Sequence, residues 1–282
     1  MHPTCENNRA VGFRGAHVRG RPRRVKVATW NVNSIRARQD RVLAWIERHR
    51  PDVLCLQEIK SEDGKFPLPA FEALGYHVAT WGQRTYNGVA ILSTRPIADV
   101  ERGFGDGVDD AQARFLAGTV DGVRVMSAYV PNGDTVGSAK WAYKLAWLER
   151  LARWLAPRVA GDDAEVVLAG DFNVAPAPLD VHDPAAWETT VLYAPAARTA
   201  LERVRATGLV DVPRTLHPTE PMFSWWDYRM LAFPKNRGLR IDHLFATPAL
   251  AARAVAAGVD REARKGQQPS DHAPVWAEFR PR

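Results

Sequence analysis

Cysteine is nearly absent from this chain of 282 residues, with only Cys5 and Cys55 present. One lies near the N-terminus and the other inside a strand-like run, so no disulfide framework is expected and a reducing cytoplasm fits. Cys55 reads as a small buried apolar residue. Long apolar runs are absent too: nothing approaches the ~20 uninterrupted residues that a membrane helix needs. No apolar core follows the early charges, so a secretory signal is not expected, and residues 1–24 lack the Ser of a transit peptide. A basic surplus is missing from most of the chain. Of the formal +6, residues 1–24 supply +5 through six Arg and one Glu, leaving about +1 for the rest. Any attraction for nucleic acid must then come from local clusters of Lys and Arg.

What is present is ordinary for a soluble globular protein: 46% hydrophobic and 25% charged residues. Residues 1–24 show no helix or strand period and read as a disordered basic arm, either touching phosphates non-specifically or a dispensable extension. From residue 25 to 282, strands and helices alternate without a linker, which predicts one α/β domain. Strands are expected at Val25–Trp30, Asp52–Glu58, Tyr76–Trp81, Gly88–Ser93, Phe115–Val120, Arg124–Val130, Glu165–Leu168, Leu239–Ala246 and Ala273–Arg280. Helical spacing marks Arg36–His49, Ser138–Leu155 and Ala196–Thr207. The segments VATWNVNS (27–34) and VLAGDFNVA (167–175) echo each other, a faint sign of two similar halves.

The most informative stretch is VVLAGDFN (166–173), an apolar strand ending in Gly170-Asp171-Phe172-Asn173. Residues two apart share a side of a strand, so Asp171 and Asn173 should project together. A carboxylate can position or deprotonate a water, and an amide can hold an oxyanion. Similar endings recur at Asn31-Val32-Asn33, Gln57-Glu58, Ile241-Asp242-His243 and Ser270-Asp271-His272. Several strands that each deliver such a group at one end suggest a composite site. His243 should point to the opposite face from Asp242 and reads as structural. Tyr129 precedes Pro131-Asn132-Gly133, and Ser224-Trp225-Trp226-Asp227-Tyr228-Arg229 pairs two indoles with polar neighbours.

As a set, these motifs resemble the exonuclease III branch of the endonuclease/exonuclease/phosphatase superfamily, over about residues 25–280. The resemblance implies a four-layer α/β sandwich of two packed mixed β-sheets flanked by helices. It implies a Mg²⁺-dependent DNA repair phosphodiesterase, with Mn²⁺ able to substitute. Such an enzyme cuts the backbone 5′ to abasic sites and trims duplex 3′ ends as a 3′→5′ exonuclease and 3′-phosphatase or phosphodiesterase in base excision repair. The implied metal residues are Glu58, Asn31, Asp271, Asp171 and Asn173. Asp171, Asn173, His272, Asp242, Tyr129 and Asn132 take the catalytic roles, with Asp242 orienting His272. Trp225, Leu239 and Ile241 would wall an apolar slot for a sugar that has lost its base. Arg229, Arg237, Arg240 and, with Lys140, Arg114 would contact the DNA backbone; Tyr143 and Lys144 either face DNA or form a solvated helix face. Whether Asp171 or His272 is the formal base, and whether one metal acts or two, stays open. The expected partner is duplex DNA with abasic sites or blocked 3′ ends, bound by a monomer in a bacterial-type, nucleoid-associated cytoplasmic setting. Rival readings are a general nuclease or an inositol phosphate or phospholipid phosphatase of the same superfamily, and a non-catalytic scaffold.

Overall fold

A computed structural model describes residues 24–282. Of the arm expected over residues 1–24, only Arg24 is described, paired with Glu278 at 3.4 Å; Cys5 lies outside the described residues. In chain order the elements are β1 (Val25–Asn31), α1 (Ile35–His49), β2 (Val53–Gln57), α2 (Leu68–Glu72), β3 (His77–Trp81), β4 (Val89–Ser93), β5 (Ala98–Arg102), β6 (Phe115–Val120), β7 (Val123–Tyr129), α3 (Ala139–Leu155), β8 (Val166–Asp171), α4 (Pro184–Trp187), α5 (Pro195–Arg205), β9 (Val210–Asp211), α6 (Val212–Leu216), β10 (Asp242–Ala246), α7 (Pro248–Ala251), β11 (Ala254–Val259) and β12 (Val275–Phe279).

The strands form two six-stranded mixed sheets, ordered β11-β12-β1-β2-β4-β3 and β5-β6-β7-β8-β10-β9. The expected four-layer sandwich is the observed architecture. Strand alternation explains the layering. Val27, Val53, Cys55 and Ile91 of the first sheet meet Val125, Val167, Ala169 and Leu244 of the second in a central apolar layer. On the outer face of the first sheet, Ala28, Trp30, Leu54 and Leu92 pack with Val42, Trp45 and Ile46 of α1 and Phe71 of α2. On the outer face of the second, Phe115, Met126, Leu168 and Phe245 pack with Trp147, Leu151 and Trp154 of α3 and Leu201 of α5.

The helix limits follow local chemistry. Ser34 caps α1 by accepting from Ala37 N, and Ser138 caps α3 by accepting from Trp141 N. Helix α1 ends at Arg50, left-handed, ahead of Pro51, which disfavours an α conformation in the residue before it. Strands β5, β9 and β11 were not expected from the sequence. Each is an edge strand, short or irregular, and β11 is mostly Ala and Gly, so no alternating pattern announces it.

The same alternation builds the site. Asn31 shares the side of β1 that carries Val27, and Asp171 the side of β8 that carries Val167 and Ala169. Tyr129 stands in register with Asp171 on β7, and Asp242 opens β10 directly opposite Asp171. At this one end the layer between the sheets turns from apolar to polar. Thr29 donates to Gln57 Oε1 (3.1 Å), and Gln57 donates to Ser127 Oγ (3.0 Å), just beneath the cluster.

Candidate active site

Asp171 is the hub of that polar end. It is 1% exposed and accepts from Asn31 Nδ2 at 2.9 Å, from Asn173 N at 2.9 Å and from Asn173 Nδ2 at 3.3 Å. Gly170 precedes it because a Cβ there would collide with the Ala128 carbonyl oxygen on β7. Asn173 lies in the left-handed region (φ 50°), which folds its backbone N–H back onto the carboxylate. Asn173 also accepts from Asn132 Nδ2 at 3.2 Å, so the loop after β7 is joined to the exit of β8.

His272 comes from the loop before β12 and is almost fully buried. Its Nδ1 faces the Asp242 carboxylate at 2.9 and 3.1 Å, and its Nε2 lies 3.8 Å from Asp171 Oδ2. Ser224 fixes Asp242 from behind, donating to Oδ2 at 2.6 Å while accepting from Ile241 N and Asp242 N. Burial by itself would lower the imidazole pKa, but the charges of Asp242 and Asp171 outweigh it and hold His272 above its ordinary value. Burial pushes the Asp171 carboxyl upward, opposed by His272 and reinforced by Asp242.

Glu58 follows β2 with φ 50° and accepts from Asn31 Nδ2 and Tyr129 OH, each at 2.9 Å. Lys60 pairs with its other oxygen at 2.8 Å and donates to Asn33 Oδ1 at 2.6 Å. Burial would raise Glu58, yet Lys60 and the Asn31 hydrogen bond prevail and keep it below the usual carboxylate range. Tyr129 is driven far upward by burial and by Glu58, so its phenol stays protonated and can donate. Asp271 accepts from Asn33 Nδ2 (3.2 Å) and Trp225 Nε1 (3.0 Å). It is tied to Glu58 through Asn33 and Lys60. Asn33, Ser34, Glu58, Lys60 and Asn173 all hold positive φ without being Gly. Strained backbone of this kind collects where loops are shaped for function.

Two donor sets could hold a cation. Asp171, Asp242 and His272 bring one atom each within 4.8 Å of one another. In that set the imidazole Nδ1 is already bonded to Asp242, and only Nε2 is turned toward Asp171. The second centres on Glu58, held by Asn31 Nδ2 and bordering a cavity of about 530 Å³ lined also by Lys60, Arg114, Tyr129, Asn132 and Lys140. A carboxylate next to open space suits a hard cation that keeps waters and a phosphate ligand.

A model of the endonuclease/exonuclease/phosphatase family matches residues 28–272. The chain belongs to that family. It is 36% identical to the exodeoxyribonuclease III of Haemophilus influenzae over 268 residues, 91% of this chain and 100% of that protein. An AP endonuclease from Archaeoglobus fulgidus superposes with a TM-score of 0.87 at 41% identity, covering 90% of this chain and 99% of that one. A 3′ phosphatase from Neisseria, bound to product DNA hairpin, gives the same TM-score and identity over the same shares.

Within this family member the structure corrects part of the sequence-based picture. Arg240 was expected on the DNA backbone; it is 1% exposed and bonds Asp180 at 2.7 Å and Asp211 at 2.8 Å. With Asp180 buried and Asp211 partly buried beside it, the guanidinium is a core tie between the start of β10 and the loop after β8. Leu239 and Ile241 were expected to wall a slot. Both are fully buried in the core beneath α3 and α5 and present no open face. Trp225 is partly exposed, T-shaped against Trp187 at 6.0 Å, while Trp226 is buried against Phe233. Lys144 faces neither DNA nor solvent, and Tyr143 OH donates to Asp110.

The remaining candidates are placed at the surface. Arg229 and Arg237 are exposed, Arg229 paired with Asp227. Lys140 is exposed and paired with Asp134 at 3.2 Å, and Arg114 stacks over Tyr129 at 4.5 Å. His243 is buried, with Nε2 on Val174 O at 2.8 Å and its ring against Phe172 and Phe245. Lys60 was missed in the sequence, although its spacing of two from Glu58 was a usable signal. Ser224, 18 residues from Asp242, gave none.

Proposed function

We propose that this protein is a Mg²⁺-dependent DNA repair phosphodiesterase that cuts the backbone 5′ to abasic sites and trims blocked 3′ ends of duplex DNA. The observation that carries the reading is the convergence of Asp171, the His272–Asp242 pair and the Glu58–Asn31–Tyr129 group at one end of the sandwich. The names of its relatives, exodeoxyribonuclease III, AP endonuclease and 3′ phosphatase, support the same chemistry.

In this reading Glu58 and Asn31 hold the cation, with Asp271 nearby, and Mn²⁺ can replace Mg²⁺. When bound, the cation supplies Lewis-acid polarisation of a phosphate oxygen. The chain's own groups do the rest. Protonated His272 and the Asn132 and Tyr129 donors face the charge that builds on the phosphate oxygens. Asp171, oriented by Asn31 and Asn173, takes the proton of the attacking water. Trp225 stands at the lesion, and Arg114, Lys140, Arg229 and Arg237 contact the backbone. The protein acts as a cytoplasmic monomer.

The test is cleavage of a duplex with one abasic site, beside undamaged duplex and a 3′-phosphate end. Incision 5′ to the lesion, abolished by EDTA and restored by Mg²⁺, is expected. No incision with either Mg²⁺ or Mn²⁺ would sink the reading, and a preference for inositol phosphates would redirect it.

A further inference from the structure

Lys144 is 0% exposed, on a helix whose neighbouring Lys140 is exposed. Its stem runs from α3 beneath Gly133, where a Cβ would come within 3.0 Å of Lys144 Cδ. An ammonium has three N–H donors and no acceptor. All three find backbone carbonyls: Asn132 O at 3.0 Å, Asn173 O at 2.7 Å and Val191 O at 2.6 Å. These carbonyls belong to three separate segments: the loop after β7, the exit of β8 and the approach to α5. No salt bridge to Lys144 occurs among the described residues.

A buried ammonium without a carboxylate partner is unfavourable, and burial lowers its pKa to about 7 against a raising contribution from Asp171. A group this unfavourable in the core calls for a compensating role, and its location supplies one. Two of the three carbonyls belong to Asn132 and Asn173, whose side chains bond each other at 3.2 Å. Asn173 in turn bonds Asp171 through both its amide and its backbone N–H. One side chain thus sets the backbone height of both amides and, through them, the carboxylate.

We propose that Lys144 is a positioning residue for the hydrolysis: its ammonium locks the loops bearing Asn132 and Asn173 to α3 and so holds Asp171 and both amides in the reactive arrangement. This rests on the functional reading above. Lys144 touches no substrate, so its removal should act on turnover more than on binding. A displacement of about 1 Å at a catalytic group can lower turnover by as much as ~10²-fold.

The experiment compares Lys144→Met with Leu148→Ala, a change in the same helix that opens the core away from the site. Lys144→Met should lower kcat on the abasic duplex by about 10- to 100-fold with KM changed less than about threefold. Leu148→Ala should lower Tm and leave kcat within about twofold. In an Asn173→Ala background the effect of Lys144→Met should shrink, because the two act through one arrangement. Amide exchange over residues 131–134 and 172–175 should quicken in Lys144→Met and stay unchanged in β4. Unchanged kcat in Lys144→Met, an equal kcat loss in Leu148→Ala, or unaltered exchange in the two loops would each overturn the inference. Wild-type protein inert on abasic duplex would instead defeat the functional reading, and the exchange measurement would still decide whether Lys144 locks the loops.

Discussion

The two sheets repeat one plan with different chemistry at its ends. In the first, β1 has β12 antiparallel on one side and β2 parallel on the other; in the second, β8 has β10 antiparallel and β7 parallel. Asn31 closes β1 where Asp171 closes β8, and His272 leads into β12 where Asp242 opens β10. Each equivalent pair meets across the sandwich. Asn31 donates to Asp171, and His272 faces Asp242. Two carboxylates at either meeting point could not both ionise at such a distance. A duplicated scaffold becomes a site here because one half presents donors where the other presents acceptors. The anchors behind them differ as well. Neutral Ser270, bonded to Asn31 O and His272 N, steadies the approach to β12, whereas the charged Arg240–Asp180–Asp211 network steadies the approach to β10.

The comparison can be broken most severely at its acceptor. Asp171→Asn keeps the shape and removes the base, and kcat on abasic duplex should fall by ~10²–10⁴ while DNA binding stays within a few fold. Near-normal turnover would remove Asp171 from its role. Next comes the charged anchor. Arg240→Met leaves Asp180 and Asp211 without their buried partner and should destabilise the fold by about 3–5 kcal/mol in denaturant titration. Ser270→Ala, losing neutral hydrogen bonds only, should cost about 1–3 kcal/mol. Equal losses would mean that the two anchors are energetically alike.

A milder change makes the halves the same. Asn31→Asp sets a second carboxylate against Asp171 and Glu58 and should lower kcat more than Asn31→Ala does, read in parallel assays. If the alanine variant is the worse, donation by Asn31 matters more than avoiding repulsion. The smallest effect concerns His243, on the outer side of β10, which burial drives down to about 4. Its folded value lies below its ordinary one, so the unfolded chain binds a proton first as the solution is acidified. Stability at neutral pH is therefore lost as pH falls from about 6.5 toward 4. His243→Gln, which can still donate to Val174 O, should flatten that part of the Tm-against-pH curve.

Most of the site's members were legible because apolar strands ending in polar residues two apart are a local pattern. Asp171 with Asn173 could be read from the chain's own order, whereas Glu58 after Gln57 and the Asp271-His272 pair were weak signals alone and stood out through the family resemblance. Arg240 and Lys144 misled for a shared reason. A lone cation in a sequence reads as surface, because its buried partners stand far off in the chain: Asp180 lies 60 residues from Arg240, and Val191 lies 47 from Lys144. Leu239 and Ile241 misled differently, since apolar side chains suit a slot and a core equally well.

The order of residues alone determined the strand and helix periods, the sites of the turns, and the kinds of group each strand end would carry. Those depend on contacts between near neighbours in the chain. The tertiary structure decided which ends meet, which cations are buried, and which of two like positions donates while the other accepts. Such choices arise from packing two sheets face to face, where groups some 140 residues apart, such as Asn31 and Asp171, come within hydrogen-bonding distance.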